Sequence, residues 1–383
     1  MAEAFVHARV LTADGFRDDV AVLVEGARIE SIVAANDARL RDFDVRDLAG
    51  HFLLPGFIDC QVNGGGDVLF NDAPTVETIR RIGAAHRRFG TTGFLPTLIS
   101  DDADVMRAAI AAVDAAIGEG VPGVLGIHLE GPYLSAARRG VHDATKFRAP
   151  DAREIDLVAS LANGVTLLTL APEQVSPATI RALTERGVIV AAGHTAASYG
   201  ETRAALYAGV RGFTHLYNAM SPLASREPGV VGAALEDSGS WCGIVADGYH
   251  VHPASVRIAL AAKPRGKLFL VTDAMPPVGG DIDTFTLGGV PITCRDGRCE
   301  TADGVLAGSA LDMAGAVRNA TASLGIAFDE AARMASAYPA DFLGIANATG
   351  RIAPGLRADF VVLDDALRVR DVFVGGARST MRS

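Results

Sequence analysis

The sequence predicts an α/β protein: a (β/α)8 TIM barrel joined to a second, small β-sandwich domain formed from both chain termini. Three observations carry that expectation. Eight apolar, β-rich runs recur through the middle of the chain, at 55–61, 91–98, 123–130, 165–170, 188–194, 212–215, 242–247 and 267–272. Most are followed by a helical pattern, and near-continuous apolar strands alternating with helices describe a parallel sheet covered on both faces. The two ends of the chain read differently, as short strands separated by turns. Eight strand–helix units over roughly 250 residues fit a closed barrel. The rival is a doubly wound open sheet, which would carry a G-x-G-x-x-G turn after its first strand. Gly64-Gly65-Gly66-Asp67 has the wrong spacing for that turn.

Taken in order, residues 5–12, 20–25 and 28–33 are β-rich, with Glu25-Gly26 as the turn between the last two. At the far end, 359–364 and 369–374 are strands, followed by Gly375-Gly376. The expected organisation is therefore a small β domain of 1–54 and 355–383 around a barrel of 55–354. Within the barrel, Val76, Ile79, Ile82 and Phe89 mark an apolar helical stripe. Asp101-Asp102, Ser176-Pro177, Ser198 and Pro253 stand where helices open, as caps or as first-turn prolines. Residues 279–308, rich in Gly, Thr and Asp, are an insertion after the eighth strand and read as a hairpin-like excursion. Helices over 309–324 and 329–343 then close the barrel.

Composition narrows the function. Net charge is −10, and the 35 Lys and Arg residues are scattered. Nucleic acid or an anionic membrane surface would demand a basic stripe, so neither is an expected partner. No apolar run reaches the ~18 residues of a membrane span. The opening Met1-Ala-Glu-Ala-Phe-Val-His7 lacks the basic-then-apolar pattern of a secretion signal. Cys60, Cys242, Cys294 and Cys299 have no C-x-x-C spacing and read as free thiols of a cytosolic protein. The expected location is cytoplasmic.

Barrel chemistry sits at the C-terminal strand ends, so what terminates each run matters. The first ends in Asp59-Cys-Gln61-Val-Asn63, and the third in Glu130. The fifth ends at His194, the sixth at His215, the seventh in Asp247-Gly-Tyr-His250 and the eighth at Asp273. A carboxylate delivered by an apolar strand needs a partner. Two histidines, a glutamate and an aspartate on one rim make up a site for zinc or another divalent metal with an open position. His128 shares a strand face with Glu130 and reads as a packing residue rather than a ligand. Asp59 either caps the glycine turn or belongs to the site. Glycines 64–66 either serve a tight turn or offer N–H groups to an anion. His7, His51, His86 and His252 have no constellation around them, and Arg138-Arg139 reads as a solvated loop pair.

With these residues in place, the sequence resembles the amidohydrolase superfamily and, within it, the N-acetylglucosamine-6-phosphate deacetylases. The matching segments run in order almost end to end. They are Pro55-Gly-Phe-Ile-Asp59 with Gln61-x-Asn63, His128-Leu-Glu-Gly-Pro132, Gly193-His-Thr195, Thr214-His-Leu-Tyr-Asn-Ala-Met220 and Arg226-Glu-Pro-Gly229. Ala246-Asp-Gly-x-His250, Val271-Thr-Asp273-Ala, Leu306-Ala-Gly-Ser309, Tyr338-Pro-Ala340 and Gly350-x-Ile-x-Pro-Gly-x-x-Ala-Asp359 follow.

The resemblance implies one divalent metal ion per subunit, Zn2+ or Fe2+, held by Glu130, His194 and His215. It implies Asp273 as general base and then acid, and His142, in Gly140-Val-His142, as the group that polarises an acetamide carbonyl. Arg226 and His250 would hold a sugar phosphate, partly from the neighbouring subunit of a homodimer. Gln61, Asn63, Val141, Asn218, Ala219, Leu306, Ala307 and Gly308 would line the sugar. Most superfamily members carry His-x-His after the first strand, where this chain has Gln61-Val-Asn63. Amides are poorer ligands than imidazoles, so a single tightly held metal is expected rather than a symmetric pair.

The implied reaction removes the acetyl group from N-acetyl-D-glucosamine 6-phosphate to give D-glucosamine 6-phosphate and acetate, in amino-sugar catabolism and cell-wall sugar recycling. Two alternatives stand beside it. Another amidohydrolase reaction, deamination or cyclic-amide hydrolysis, is opposed by Gln61-x-Asn63 and Arg226-Glu-Pro-Gly229. A non-catalytic binding barrel is opposed by the intact set Glu130, His194, His215 and Asp273.

Overall fold

The structure, a computed structural model, describes residues 2–379. Residues 1 and 380–383, the outermost positions of the expected terminal domain, lie outside the described residues. Each of the eight apolar runs holds a barrel strand: Phe57–Val62, Thr91–Ile99, Gly126–Glu130, Val165–Leu170, Ile189–Ala192, Gly212–Phe213, Trp241–Val245 and Leu268–Val271. They pair in parallel, and their order in space is their order in the chain. The ring closes where Val62 bridges Ala274 and the Asp273 N–H donates to the Gln61 carbonyl at 3.1 Å. That closure sets the end of the first strand beside the end of the eighth.

Local chemistry starts the helices where the sequence places them. Ser176 accepts from Thr179 N–H, with Pro177 in the first turn. Ser198 and Glu201 form a reciprocal capping box ahead of Tyr199–Ala208. His252 caps Pro253–Ala262 by accepting from Ala254 N–H, which gives this isolated histidine a structural role. The expected helix over 329–343 is instead two, Phe328–Met334 and Ala337–Leu343. Pro339 is the reason: its missing N–H is tolerated in a first turn but not in a helix interior.

The terminal strands form two sheets packed face to face. One is ordered Arg28–Ala34, Val20–Glu25, Ala2–Val6, Asp44–Asp47. The other is ordered Ala377–Arg378, Val369–Val374, Phe360–Leu363, Phe52–Pro55, Arg9–Thr12, Gly15–Arg17. The expected single strand over 5–12 is broken at His7, whose φ of 50° turns the chain from one sheet to the other. Period-two alternation explains why the central strands of the second sheet are apolar on both faces. Leu53, Phe360, Val362 and Phe373 face the sandwich core, while Leu54, Val361, Leu363 and Val372 face the barrel.

The insertion is larger than a hairpin. Thr284–Leu287, Val290–Arg295, Arg298–Thr301 and Leu306–Ser309 form a four-stranded antiparallel meander. Gly288-Gly289 and Asp296-Gly297 supply pairs of positive φ (56° and 82°, 52° and 85°), as two-residue type I′ turns require. The second turn sets Cys294 directly opposite Cys299 with 4.0 Å between Cα atoms, and the two are joined by a disulfide. Reading all four cysteines as free thiols is therefore corrected for this pair. A spacing of five hides a cross-strand contact until the Asp-Gly turn is seen. Cys60 and Cys242 are free and buried.

Candidate metal centre and substrate pocket

The strand ends converge on one cavity of about 510 Å³, lined by residues that include Asn63, Glu130, Val141, His142, His194, His215, Asn218, Ala219, His250, Asp273, Leu306 and Gly308. One oxygen of Glu130 lies 3.3 Å from His194 Nε2 and 3.1 Å from His215 Nε2, and the two Nε2 atoms are 3.0 Å apart. All three side chains are buried. Among the described residues this is the group of three whose ligand atoms lie within 4.8 Å of one another.

The hydrogen bonds around this trio decide what can fill it. The Arg138 carbonyl sits 2.9 Å from His194 Nδ1. A carbonyl only accepts, so Nδ1 carries the proton and a neutral His194 presents a bare Nε2 lone pair. That lone pair, the Glu130 oxygen and a second imidazole nitrogen crowd together with too few protons among them. Two nitrogens and a carboxylate facing one point suit a divalent cation, and the residues present fit the metal that the sequence implies. The imidazoles bear on the carboxyl as well. Burial raises the pKa of Glu130, but the two imidazoles that face it outweigh burial and hold the carboxyl well below its usual range.

Gln61, expected to line the sugar, is not on the cavity wall but behind it. Its amide N–H2 donates to Glu130 at 3.1 Å and to Asp273 at 3.0 Å, bridging the two carboxylates. Asn63 donates to the same Asp273 oxygen at 2.7 Å. Burial, and then the charge of Glu130, raise the Asp273 pKa. Gly308 lies against the Asp273 backbone: at φ +64°, a Cβ there would come within 2.7 Å of the Asp273 main-chain carbonyl.

His142 is buried, and that burial, with the neighbouring His194, pushes its pKa down to about 3. It is therefore neutral. Its Nδ1 accepts from the Ser100 N–H at 3.4 Å and lies 2.9 Å from the Ser100 hydroxyl. The proton then sits on Nε2, which makes a neutral hydrogen-bond donor.

Other rim residues resolve into supports. His128 spans Thr97 and Thr169 at 3.2 and 2.8 Å, a packing role. Asp59 accepts from the Thr272 hydroxyl at 2.5 Å, bracing the first strand against the last, and burial raises its pKa to about 7. Gly64 and Gly66 donate their N–H groups to Ala274 and Val278, so the glycine cluster is a tight turn, held by His86 at 2.9 Å. Ala307 is buried behind Leu306 and Gly308 and does not line the cavity. His250 lines it and is held by Asp247 at 2.6 Å. Arg226 is exposed and lies outside the cavity of its own chain. Arg138 and Arg139, read from sequence as a solvated pair, line the cavity; their loop folds back onto His194.

The sequence model of the Amidohydrolase family matches residues 52–379. The chain is 45% identical to an N-acetylgalactosamine-6-phosphate deacetylase of Shewanella sp. (strain ANA-3), over 96% of this chain and 94% of that one. The crystal structure of N-acetylglucosamine-6-phosphate deacetylase from Pasteurella multocida superposes with a TM-score of 0.96 at 36% identity, covering 100% of both chains. An aspartate-to-alanine mutant of the Mycobacterium smegmatis N-acetyl-D-glucosamine-6-phosphate deacetylase, solved with N-acetyl-D-glucosamine 6-phosphate, superposes with a TM-score of 0.90 at 33% identity, over 98% and 99%. This chain belongs to the amidohydrolase family, in the group of the amino-sugar-6-phosphate deacetylases.

Proposed function

We propose that this protein removes the acetyl group from an N-acetylhexosamine 6-phosphate, N-acetyl-D-glucosamine 6-phosphate in the first instance, releasing acetate and the free amino-sugar phosphate. The observation that carries the reading is a single cavity holding a Glu130–His194–His215 ligand set, the buried carboxyl of Asp273 and a neutral donor at His142.

Glu130, His194 and His215 would hold one divalent ion, and zinc and ferrous iron both suit two imidazoles and a carboxylate. When bound, that ion lowers the pKa of water toward ~7 and so supplies hydroxide at neutral pH. Asp273, steadied by Gln61 and Asn63, takes the proton from the attacking water. It then delivers that proton to the amide nitrogen, because an amine anion is too poor a leaving group to depart unaided. His142 donates Nε2–H to the acetamide oxygen as negative charge develops there, an effect worth about 3 kcal/mol in comparable sites.

Asn63, Val141, Asn218, Ala219, Leu306 and Gly308 would line the sugar, with Ala307 supporting the last two. His250 would meet the phosphate from within the chain. Arg226, exposed beside the exposed Leu223, would reach a neighbouring subunit's cavity in a homodimer. A cytoplasmic setting follows from the substrate, since a phosphate dianion does not cross a bilayer unaided. Among the described residues, no helix is long and apolar enough to cross a membrane.

The 45% identity to a galactosamine-type relative favours a second reading of the same site, with the C4 epimer as the better substrate. Acetate release from both epimers, after stripping and restoring metal, tests both readings. The proposal expects metal-dependent acetate from at least one phosphorylated sugar. Ammonia instead of acetate, or no product from either epimer, would overturn it.

A further inference from the structure

His142 works as a hydrogen-bond donor only if its proton sits on Nε2. A neutral imidazole can carry that proton on either nitrogen, so something in the fold has to choose. We propose that Ser100 makes that choice: it is a positioning residue that keeps the proton of His142 on Nε2, ready for the acetamide oxygen. Ser100 does not line the cavity, so it acts through His142 and not on the substrate. This deepens the deacetylase reading and rests on the role given there to His142.

Ser100 follows the second barrel strand, Thr91–Ile99, and is buried. Its backbone N–H donates to His142 Nδ1 at 3.4 Å, and its hydroxyl lies 2.9 Å from the same nitrogen. The backbone group can only donate, so Nδ1 carries a lone pair and no proton. The hydroxyl has one proton to give and two acceptors in reach, Nδ1 and the Glu130 carbonyl at 3.3 Å. The imidazole is the closer of the two. In the other tautomer the hydroxyl would accept from Nδ1–H and turn its proton to Glu130, but the Ser100 N–H would then face a second N–H. One side chain thus ties the donor to the backbone of Glu130. Gly131 leaves room for it: a Cβ there would stand 2.3 Å from the hydroxyl oxygen. Both partners are also held by other contacts. Asn71 clamps Ile99, accepting from its N–H at 3.0 Å and donating to its carbonyl at 3.1 Å. Lys146 pairs with Asp101 and Asp102, and Arg148 donates to the Asp101 carbonyl at 3.1 Å. The loop that carries His142 is therefore docked on the same strand end, and removing the hydroxyl changes one contact rather than the loop.

The test is a double-mutant cycle of S100A and H142A in the metal-loaded enzyme. S100A should lower kcat roughly 3–10-fold, the effect of losing one neutral hydrogen bond, with KM and metal content unchanged. In the H142A background the same substitution should change kcat by less than about 2-fold, because nothing is left for Ser100 to set. Nitrogen NMR of the histidine-labelled, zinc-loaded protein reads the tautomer without turnover, the His142 signals being those missing from H142A. The wild type should show a bare Nδ1 and a protonated Nε2, and in S100A both signals should move toward the average of the two tautomers. A protonated Nδ1 in the wild type would overturn the assignment. So would additive losses in the cycle, a loss carried by KM or metal content, or an S100A enzyme with full kcat and wild-type nitrogen shifts. No acetate from the wild type would instead sink the deacetylase reading, and the nitrogen shifts would still decide whether Ser100 sets the ring.

Discussion

In the terminal sandwich the buried layer is made of Phe5, Phe360 and Phe373, stacked edge to face at 5.0–5.2 Å around Phe5, with Val22, Val24 and Ile29 beside them. At the C-terminal rim of the barrel, comparable burial is given to Glu130, Asp273, His142, His194 and His215. The backbones differ in the same sense. In the sandwich, residues other than glycine take positive φ at turns between strands, His7, Ala49 and Leu367. At the rim the left-handed conformation falls on His194, His215, Ala219 and Asp273 themselves (φ 47°, 33°, 50° and 54°). Such backbone is costly for side-chain-bearing residues and persists where surrounding structure holds it. The sandwich therefore contributes stability that the rim does not, and the rim holds groups in place that no apolar core would select.

That contrast can be broken by substitution. The largest effect is expected from Glu130→Gln, which removes the anionic ligand. Metal affinity should fall by more than the roughly 10–100-fold typical of losing an outer-shell partner. Full metal occupancy by elemental analysis would show that the rim is not built around an ion.

Asp273→Asn comes next. Turnover should fall about 10²–10⁴-fold with metal retained, and near-normal turnover would take the proton-carrying role from Asp273. Phe5→Ala acts in the opposite region. It should cost about 3–5 kcal/mol in denaturant unfolding while leaving kcat within a few-fold below the transition. Loss of metal or activity in step with stability would mean that the two regions are not separable.

The smallest effect is expected from Cys294→Ser. Opening a disulfide across so short a loop should cost about 2 kcal/mol. The unfolded wild-type chain should titrate as two thiols without reductant, and four would show the pair to be reduced.

Much of this was legible in order along the chain. Each barrel strand announces itself as an apolar run, because a parallel strand buried on both faces has no polar side to alternate with. Glu130, His194, His215 and Asp273 are legible as polar residues ending such runs, and Ser198 with Glu201 as a helix start. Other features depend on contacts far apart in sequence. Gln61 reads as a weak metal ligand, yet it bridges carboxylates 69 and 212 residues away. Arg138 and Arg139 read as a solvated pair, and Arg139 is exposed, but charge alone does not say that their loop also borders the cavity. Cys294 and Cys299 read as unpaired because only a turn with two positive φ values brings them face to face.

The sequence by itself determined the strand–helix rhythm, the polar residues at the strand ends and the strand-rich termini, since each is written in short-range periodicity. The tertiary structure alone decided which of those residues meet. Closing the barrel between Val62 and Ala274 sets Gln61 against Asp273, and folding the loop after Glu130 back onto His194 turns two surface arginines into cavity wall. Register and closure are properties of the whole ring, so no local stretch of the chain encodes them.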